Sequence, residues 1–504
     1  MINSFKEHNN RYKKELINGV KLYEHLMLYG YLPDHWVLPP LIKINNKNIT
    51  GIGDCSVRSP SVLFAPKSKL KWRQFSFIHP NNYQKVCKLL SDIKFNKSLL
   101  ELNNSKKIFS YSLPQNYKSS NENSEKQIMR WTELQDDLML NSGKYEYILI
   151  LDISNCYHTM YTHTIEWAFD GVGEKTFGNS LDMAIRRGMD NRTHGLPVGS
   201  APSHYISEIV LNKIDREIEN TVQIKDYIGG RFRDNYYLLL KNKQEAELLL
   251  KEIIITLRKY NLDFNSEKTK ILKKNEYFDS FWRIDFNEII SKLNLENIKT
   301  IIQLPIRKIE VLINLTLRLS EKYNNDKAIL DRLLDILEKI EPEYDLYPKY
   351  FSLIQRIYQV RTQTLPRVLG MLSLLAKKNK SCKSEFKKFL LNRLDIAYQS
   401  MDNFEMMWLL YFFSINEIKE TKKIRNYLLK IKLINDPFLN LSCTFYEKTI
   451  SGNILSHGDI FLDLWKSDNN ESMIEAKFNN IMNIEDLLFI LKINFITNFY
   501  GGGY

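Results

Sequence analysis

ILILDISNCY, at residues 148–157, is the stretch of sequence that decides the fold. Its apolar residues run without a break to a single aspartate, Asp152, and an aromatic residue, Tyr157, follows five positions later. A continuous apolar run predicts a buried strand, and the end of such a strand can reach solvent and substrate. The pattern therefore predicts a carboxylate at the tip of a core strand, where it could hold a metal ion.

Three further segments follow along the chain. They are GLPVGSAPS at 195–203, RFRDNYYLLL at 231–240 and LDFNSEKTKIL at 262–272. Taken in order, the four segments resemble motifs A, B, C and D of a reverse-transcriptase palm, over about residues 60–275. The closest resemblance is to the bacterial abortive-infection reverse transcriptases, because LDISNCYHTMYTHTIEW and THGLPVGSAPS are similar to that family beyond the general palm motifs.

Motifs A and B receive their roles from this resemblance. Asp152 would be the first metal ligand, and Tyr157 would lie beneath the sugar of the incoming nucleotide. Motif B would form a flexible turn at the nucleotide site, before a helix over 203–214, with the turn residues Gly195, Pro197 and Gly199. This motif usually carries a glutamine where the chain has Val198, and the side chain of valine cannot form hydrogen bonds.

Motifs C and D supply two more candidate residues. Asp234 would lie between two short strands, and Lys268 would protonate the leaving pyrophosphate. Most reverse transcriptases have a second aspartate in motif C, where this chain has Asn235. An amide oxygen can coordinate a metal ion or accept a hydrogen bond, although it brings no charge. The alternatives are an exposed turn aspartate, a surface lysine and a palm that has lost its activity.

Nucleotidyl transfer is the chemistry that these residues would support. It uses two divalent ions held by carboxylates, one activating the attacking hydroxyl and one stabilising the leaving pyrophosphate. Mg²⁺ binds a few hard oxygen ligands together with phosphate oxygens and water, so Asp152, Asp234 and the Ile153 carbonyl would suffice. We therefore expect Mg²⁺ or Mn²⁺ as the cofactor. We expect dNTPs as substrates, because Tyr157 would exclude a 2′-hydroxyl unless it is an ordinary core aromatic.

Four cations precede the palm motifs. Lys67, Lys69, Lys71 and Arg73 recur at every second residue in PKSKLKWRQFSF. In an extended strand they would share one face, which suits a triphosphate or a nucleic-acid backbone. Lysines guarding a solvated edge strand are the alternative. By the family resemblance, Arg73 would contact the triphosphate, and Lys71 would be a second nucleotide-binding residue.

Composition narrows the class of protein. The 504 residues suffice for roughly three domains, and the formal charge of +12 suggests a polyanionic partner. The five cysteines form no C-x-x-C pair, which predicts reduced thiols and no disulfide or zinc framework. No apolar run reaches the length of a membrane span, and the N-terminal sequence has no apolar signal core. We expect a soluble protein of the bacterial cytoplasm without a membrane partner.

We expect an α+β fold in three parts. Residues 1–60 would form an N-terminal extension of helix and loops, and 61–275 the reverse-transcriptase-like fingers and palm. Residues 276–504 would form an all-α, HEAT-like array, because apolar residues recur there at helical spacing, as in Leu330, Leu333, Leu334 and Leu337.

Two stretches have less specific patterns. The polar segment 113–127 predicts a surface loop before the palm. Four aromatic residues lie close together on one predicted helix: Trp408, Tyr411, Phe412 and Phe413. They form either the core of a helix pair or a stacking surface for single-stranded DNA.

The family resemblance implies a particular activity. It implies DNA synthesis without a template, started from a tyrosine hydroxyl of the protein, in abortive-infection defence against phage. The product would be single-stranded DNA attached covalently to the protein, and the protein would form a homo-oligomer. Val198 agrees with this, because a glutamine there would help to read a template pair. The alternatives are a template-dependent reverse transcriptase and a weakened palm acting as a nucleic-acid-binding, phage-sensing scaffold.

NFYGGGY, at residues 498–504, suggests the priming residue. A glycine run forms a flexible tether, and three residues reach roughly 10 Å. Tyr504 could therefore present its phenol to the active site. A frayed tail is the alternative, and Tyr29 and Tyr31 compete for the role.

Overall fold

A computed structural model gives the fold for residues 4–14, 19–32, 37–45, 55–68, 71–92, 95, 97, 105–113, 120–169, 175–278, 281–296, 302–323, 327–358, 364–419, 421–451, 475–478, 482, 484, 486–488 and 491. Tyr504 and its glycine run lie outside these residues. So do Lys69 and the side chain of Lys67.

The first part of the chain combines helices with a β-hairpin. Its elements are α1 (Ser4–Lys14), α2 (Gly19–Tyr29), β1 (Ile42–Asn45), β2 (Ser61–Ser68), β3 (Lys71–Phe77) and α3 (Pro80–Leu90). β2 and β3 pair antiparallel, with Ala65 opposite Arg73. The Tyr83 hydroxyl of α3 donates to the Leu26 carbonyl of α2 at 2.6 Å. The N-terminal helix α2 is therefore packed into the fingers.

The palm contains a five-stranded sheet flanked by helices. Its elements are β4 (Ile108–Ser110), α4 (Ser120–Asn141), a 3₁₀ turn (Ser142–Lys144), β5 (Tyr147–Asp152), α5 (Cys156–Thr159), α6 (Thr164–Ala168), α7 (Lys175–Gly188), α8 (Ala201–Thr221), β6 (Tyr227–Phe232), β7 (Asn235–Leu240), α9 (Lys243–Lys259), β8 (Lys270–Lys273) and α10 (Lys274–Phe278). The strand order is β4-β6-β7-β5-β8. β4 and β6 are parallel, and the other neighbours are antiparallel.

Strand β5 is buried on both faces of this sheet. Leu149 and Leu151 belong to the large core on the side of α8 and α9. Ile148 and Ile150 belong to a second core, which α4 closes with Trp131. Because successive side chains of a strand point to opposite faces, a strand between two cores must be apolar throughout. The uninterrupted apolar run therefore predicted this strand correctly.

The loop predicted over 113–127 is wrong from residue 120 onward, because α4 begins at Ser120. Polar residues fill its first turns, but Trp131, Leu134 and Leu138 supply an apolar stripe later in the same helix. Packing of that stripe on the sheet extends the helix upstream into a sequence without helical periodicity. The helix after motif B, predicted over 203–214, is longer than expected and spans Ala201–Thr221.

The rest of the described chain is mostly helical. Its elements are α11 (Phe281–Lys292), β9 (Ile302–Gln303), α12 (Ile306–Lys322), α13 (Lys327–Leu337), β10 (Ile340–Glu341), a 3₁₀ turn (Tyr344–Leu346), α14 (Tyr347–Tyr358), α15 (Leu365–Lys378), α16 (Lys380–Gln399), α17 (Asn403–Ile415), α18 (Lys422–Lys432), α19 (Pro437–Ser451) and β11 (Glu475–Phe478). Helix α12 packs against both α13 and α14, and consecutive helices pack against each other from α14 to α17, as expected for a helical array. β11 pairs antiparallel with β1.

Helix α17 is buried along almost its whole length. Trp408, Tyr411, Phe412 and Phe413 are all buried in it, so they form helix core and not a surface for stacking DNA bases. A helix that is apolar all round is covered on every side. No helix in the described part of the chain has the length and apolar character needed to span a bilayer.

Candidate active site

Asp152 lies at the end of β5, opposite Asn235 at the start of β7. The Asn265 N–H donates to the Asp152 carbonyl at 2.8 Å, which ties motif D to motif A. The Lys268 ammonium lies 2.9 Å from one carboxylate oxygen of Asp152. The aspartate of motif A and the lysine of motif D, 116 residues apart in sequence, therefore form an ion pair.

Asp234 lies in the two-residue turn between β6 and β7. Its neighbour Arg233 has a left-handed backbone with φ of 55°. Such a conformation is uncommon for a residue other than glycine. The Ser112 hydroxyl accepts the Arg233 N–H at 2.7 Å, and the Arg231 guanidinium donates to the Arg233 carbonyl at 2.9 Å. The turn that presents Asp234 is thus held on both of its peptide groups.

Asp152 and Asp234 lie at neighbouring strand ends, where the charge of Asp152 acts on Asp234. The Ile153 N–H donates to the Asp234 carbonyl at 2.9 Å, so the ends of motifs A and C are in direct contact. Burial raises the pKa of Asp234, and the negative charge of Asp152 raises it further. Arg73 and Lys268 act in the opposite direction, which places both cations near the same carboxylate.

A divalent cation suits this arrangement. Two neighbouring carboxylates repel each other, and a bound cation would remove that repulsion. Asn235 is buried, and its amide nitrogen donates to Asp234 at 3.0 Å. Asn235 therefore orients the carboxylate of Asp234 in the structure. Within the described ranges no group of three or more histidine, cysteine or acidic side chains could bind a metal ion. Asp152 and Asp234 offer the carboxylate oxygens that a divalent cation needs, and the two-aspartate metal site stays a prediction.

The two described cations of strand β3 differ in their exposure to solvent. Arg73 is half-buried on β3, and its charge reaches Asp234. Lys71 is exposed, and its ammonium lies 3.8 Å from Glu267 of motif D, which is also exposed. A contact of this kind contributes little to stability. It does show that the end of the fingers hairpin faces motif D across the site.

Motif B forms a turn with two left-handed glycines, Gly195 with φ of 91° and Gly199 with φ of 110°. The Pro197 carbonyl accepts the Ser203 hydroxyl at 2.6 Å, which joins the turn to the first part of α8. The Val198 carbonyl accepts the Ser76 N–H at 2.9 Å. The turn is therefore attached to strand β3 of the fingers as well as to the palm.

Tyr157 lies on the short helix α5, directly after motif A. Its hydroxyl is 3.3 Å from the Nδ1 atom of His204, and the Ser207 hydroxyl is also 3.3 Å away. Burial raises the pKa of the Tyr157 phenol, so it keeps its proton at neutral pH. Burial also lowers the pKa of His204 to about 4, so its ring is neutral.

Sequence reasoning missed a buried ionic cluster behind motif C. Arg231 is fully buried, and its guanidinium contacts Glu208 at 3.0 Å and Asp215 at 2.8 Å. Burial disfavours charge on Glu208, but the charge of Arg231, together with His204 and the hydrogen bonds from Arg231 and Ser112, lowers the pKa of Glu208 below its usual value. Glu208 and Asp215 are seven residues apart on α8, a spacing that places them on one helix face among isoleucines. Charges at core positions were the signal that could have revealed the cluster.

Comparison with known proteins identifies the class of this domain. Residues 65–279 match the family described as "Reverse transcriptase (RNA-dependent DNA polymerase)". The chain therefore contains a reverse-transcriptase domain, and such a domain is of the nucleotidyltransferase type. No curated protein matches the chain.

Some solved telomerase structures are similar to part of this chain. An apo telomerase from Candida tropicalis, truncated from its C-terminal domain, is 14% identical with a TM-score of 0.29, over 44% of this chain and 52% of its own. Telomerase from Candida albicans, in complex with a fragment of telomeric RNA, is 11% identical with a TM-score of 0.29, over 69% of this chain and 66% of its own. The chain thus spans about half the length of the first of these structures.

Proposed function

We propose that this protein is a DNA polymerase of the abortive-infection type, acting in the bacterial cytoplasm in defence against phage. It makes single-stranded DNA from dNTPs without a template, and the DNA grows from a tyrosine hydroxyl of the protein. Residues 61–275 are the catalytic part in this proposal. Residues 1–60 and 276–504 support it, in a homo-oligomer.

One observation carries the proposal of nucleotidyl transfer. Asp152 and Asp234 come together at the ends of neighbouring strands, and Arg73 and Lys268 lie close enough to lower the pKa of Asp234. Two carboxylates with two cations suit a site where Mg²⁺ or Mn²⁺ meets a triphosphate. When bound, the divalent ions would activate the attacking hydroxyl and neutralise charge on the phosphates.

The palm would hold the metal ions, and the fingers would bind the triphosphate. Asp152, Asp234 and the Ile153 carbonyl would hold the ions. Lys71 and Arg73 would bind the triphosphate from the fingers. The attacking oxygen gives up its proton to solvent and bonds to the α-phosphorus, while the bond to pyrophosphate breaks.

Lys268 would supply the proton that the leaving pyrophosphate needs. Its ammonium is paired with Asp152 at 2.9 Å in the structure, so it must move from the carboxylate to the phosphates when the nucleotide binds. Tyr157 would form the floor beneath the sugar and exclude a 2′-hydroxyl. Pro197 and Gly199 would line the nucleotide site from the motif B turn.

Val198 supports synthesis without a template. Its carbonyl is bonded to Ser76, and its side chain has no polar atom with which to monitor a base pair. Asn235 supports the second candidate, a palm with weakened catalysis that acts as a binding scaffold, because it reduces the number of carboxylates in motif C.

Incubation of the purified full chain with Mg²⁺ and labelled dNTPs tests the proposal. With neither template nor primer, we expect a labelled product that stays with the protein on a denaturing gel and is released by protease. Product that requires an added RNA or DNA template would replace the proposal by template-dependent reverse transcription. If no product forms under either condition, with Mg²⁺ or with Mn²⁺, the second candidate function, a binding scaffold without catalysis, would replace the proposal.

Tyr504 is the tyrosine that we propose as the primer. Mass spectrometry of the protein–DNA adduct identifies the modified residue, and Tyr504→Phe should abolish priming while the protein still folds. Tyr29→Phe and Tyr31→Phe are the matched controls. A nucleotide attached to Tyr29 or Tyr31 would refute the assignment to Tyr504.

A further inference from the structure

The hydroxyl of Tyr157 belongs to a chain of hydrogen bonds that joins three separate parts of the palm. His204 and Ser207, both on α8, lie within 3.3 Å of the hydroxyl. The His204 ring also forms a hydrogen bond with the backbone of Ser112, beyond the end of β4. A buried phenol is normally hydrogen-bonded, but here its partners also connect the ring to the palm elements that surround the candidate site.

Two side chains of α8 surround the Tyr157 hydroxyl. The Nδ1 atom of His204 lies 3.3 Å from it, and the tautomer of the ring decides which of the two groups donates. The Ser207 hydroxyl lies 3.3 Å from the Tyr157 hydroxyl and 2.9 Å from the His204 carbonyl, and its single hydrogen can be donated to only one of them. The phenol is thus within hydrogen-bond distance of both His204 and Ser207.

The same series of hydrogen bonds extends to the turn of motif C. The Ser112 hydroxyl accepts the N–H of Arg233, the residue directly before Asp234. The Ser112 hydroxyl itself donates to the buried Glu208 at 2.6 Å. The position of the Tyr157 ring is therefore set by the same residue that holds the turn of the catalytic aspartate.

We infer that His204 is a positioning residue for sugar selection. Its bond to the phenol fixes the tilt of the Tyr157 ring, and hence the height of the surface beneath the 2′-carbon of the nucleotide. A deoxyribose fits above a fixed ring, whereas a 2′-hydroxyl requires the ring to move. This inference rests on the proposed polymerase function, in which Tyr157 lies under the sugar.

The test compares how strongly variants prefer dATP over ATP, measured as the ratio of the two kcat/KM values. We expect His204→Leu and Tyr157→Phe each to lower this ratio roughly three- to tenfold, since one hydrogen bond of about 1 kcal/mol is about fivefold. The change should come mainly from faster use of ATP. His204→Gln keeps a polar atom near the phenol and should restore most of the ratio. His194→Leu, an exposed histidine of the same region, is the matched control.

The double variant gives the decisive outcome. Because Tyr157→Phe already removes the bond that His204→Leu breaks, the combined variant should lower the ratio no further than Tyr157→Phe alone. Additive losses would overturn the inference. Equal losses for dATP and ATP would show that His204 is only structural, and would overturn it as well.

Failure of the proposed function would look different. The wild-type chain would then incorporate neither nucleotide, and the comparison would move to equilibrium binding of dATP and ATP by calorimetry in the presence of Mg²⁺. We expect the wild-type chain to bind dATP more tightly than ATP, and His204→Leu to reduce that difference. Equal affinities for both nucleotides in the wild-type chain would refute the role of His204.

Discussion

Buried charges are arranged differently in the palm and in the helical array. In the palm, Arg231 and its partners Glu208 and Asp215 are all at most 1% exposed. In the array, Arg367 is equally buried, but its partners Asp335 and Glu338 are 24% and 15% exposed. The palm cluster has no access to water and holds the turn next to Asp234. The array cluster links α13 to α15 and leaves its carboxylates in reach of solvent.

The difference indicates what each region must keep fixed. Charges that are fully removed from water cost a great deal unless every partner is in place. Such a cluster therefore tolerates only one arrangement of its strands and helix. The array has no candidate site among its described residues, and its helices need only to stay together.

The largest effect should come from the carboxylates in front of the palm cluster. Asp152→Ala and Asp234→Ala should each lower nucleotide incorporation by about a thousandfold or more, because each removes a charge that a Mg²⁺ site needs. Incorporation of labelled dNTPs measures the loss. Asp263 is an exposed aspartate at the start of the motif D segment, and Asp263→Ala should be nearly as active as the wild type. Full activity in either site variant would refute the assignment of the palm.

Removal of the central arginine tests the comparison directly. Arg231→Leu leaves Glu208 and Asp215 buried without a cation and should cost about 3–5 kcal/mol of unfolding free energy. Arg367→Leu should cost roughly half of that or less, because the two carboxylates with which it forms ion pairs, Asp335 and Glu338, can be hydrated. Urea unfolding followed by circular dichroism measures both. Equal losses in the two variants would mean that exposure of the partners does not decide the cost.

Asn235→Asp places a third carboxylate beside the candidate metal site. We expect incorporation within about tenfold of the wild type, with altered preference between Mg²⁺ and Mn²⁺, because carboxylate is a stronger ligand than amide. Titration of activity with each metal measures this. Asn235→Ala is the control, since it removes the bond to Asp234 without adding charge. If Asn235→Asp folds but is inactive, then the amide of Asn235 has a specific role at the site.

The smallest effect concerns pH. The pKa of His204 is lowered to about 4 in the folded chain by burial. The unfolded chain therefore binds a proton near pH 6.5 that the folded chain does not. The stability that a neutral His204 provides is complete above that pH and is lost as the pH falls toward 4.

Comparison of the wild type with His204→Gln isolates the contribution of His204 to the pH dependence of stability. Between pH 7 and pH 5, the wild type should lose about 1–2 kcal/mol more unfolding free energy than His204→Gln, because glutamine does not titrate. Partial exposure of His204 to solvent keeps the difference this small. Urea midpoints at the two pH values measure the difference. An identical pH dependence in both chains would show that His204 is not held neutral by burial.

The predictions from sequence succeeded where a short pattern carries its own physical reason. The apolar run before Asp152 had to be a strand with two covered faces, and the pair of runs around Asp234 had to be a hairpin. The leucines of α13 predicted a helix with one buried face, and all four are buried. Ser120–Asn141 could not be predicted in full, because its first turns are polar and depend on packing further along the helix.

The sequence by itself determined the order of the motifs, the residue types at the candidate site and the change from palm to helical array. Local spacing contains that information, because strand and helix periods differ. Only the tertiary structure decided which distant residues meet: Lys268 with Asp152, Arg231 with Glu208 and Asp215, and His204 with Tyr157. These contacts join segments between 16 and 116 residues apart. A polar residue gains such a partner only when the packed sheet and helices bring the two together.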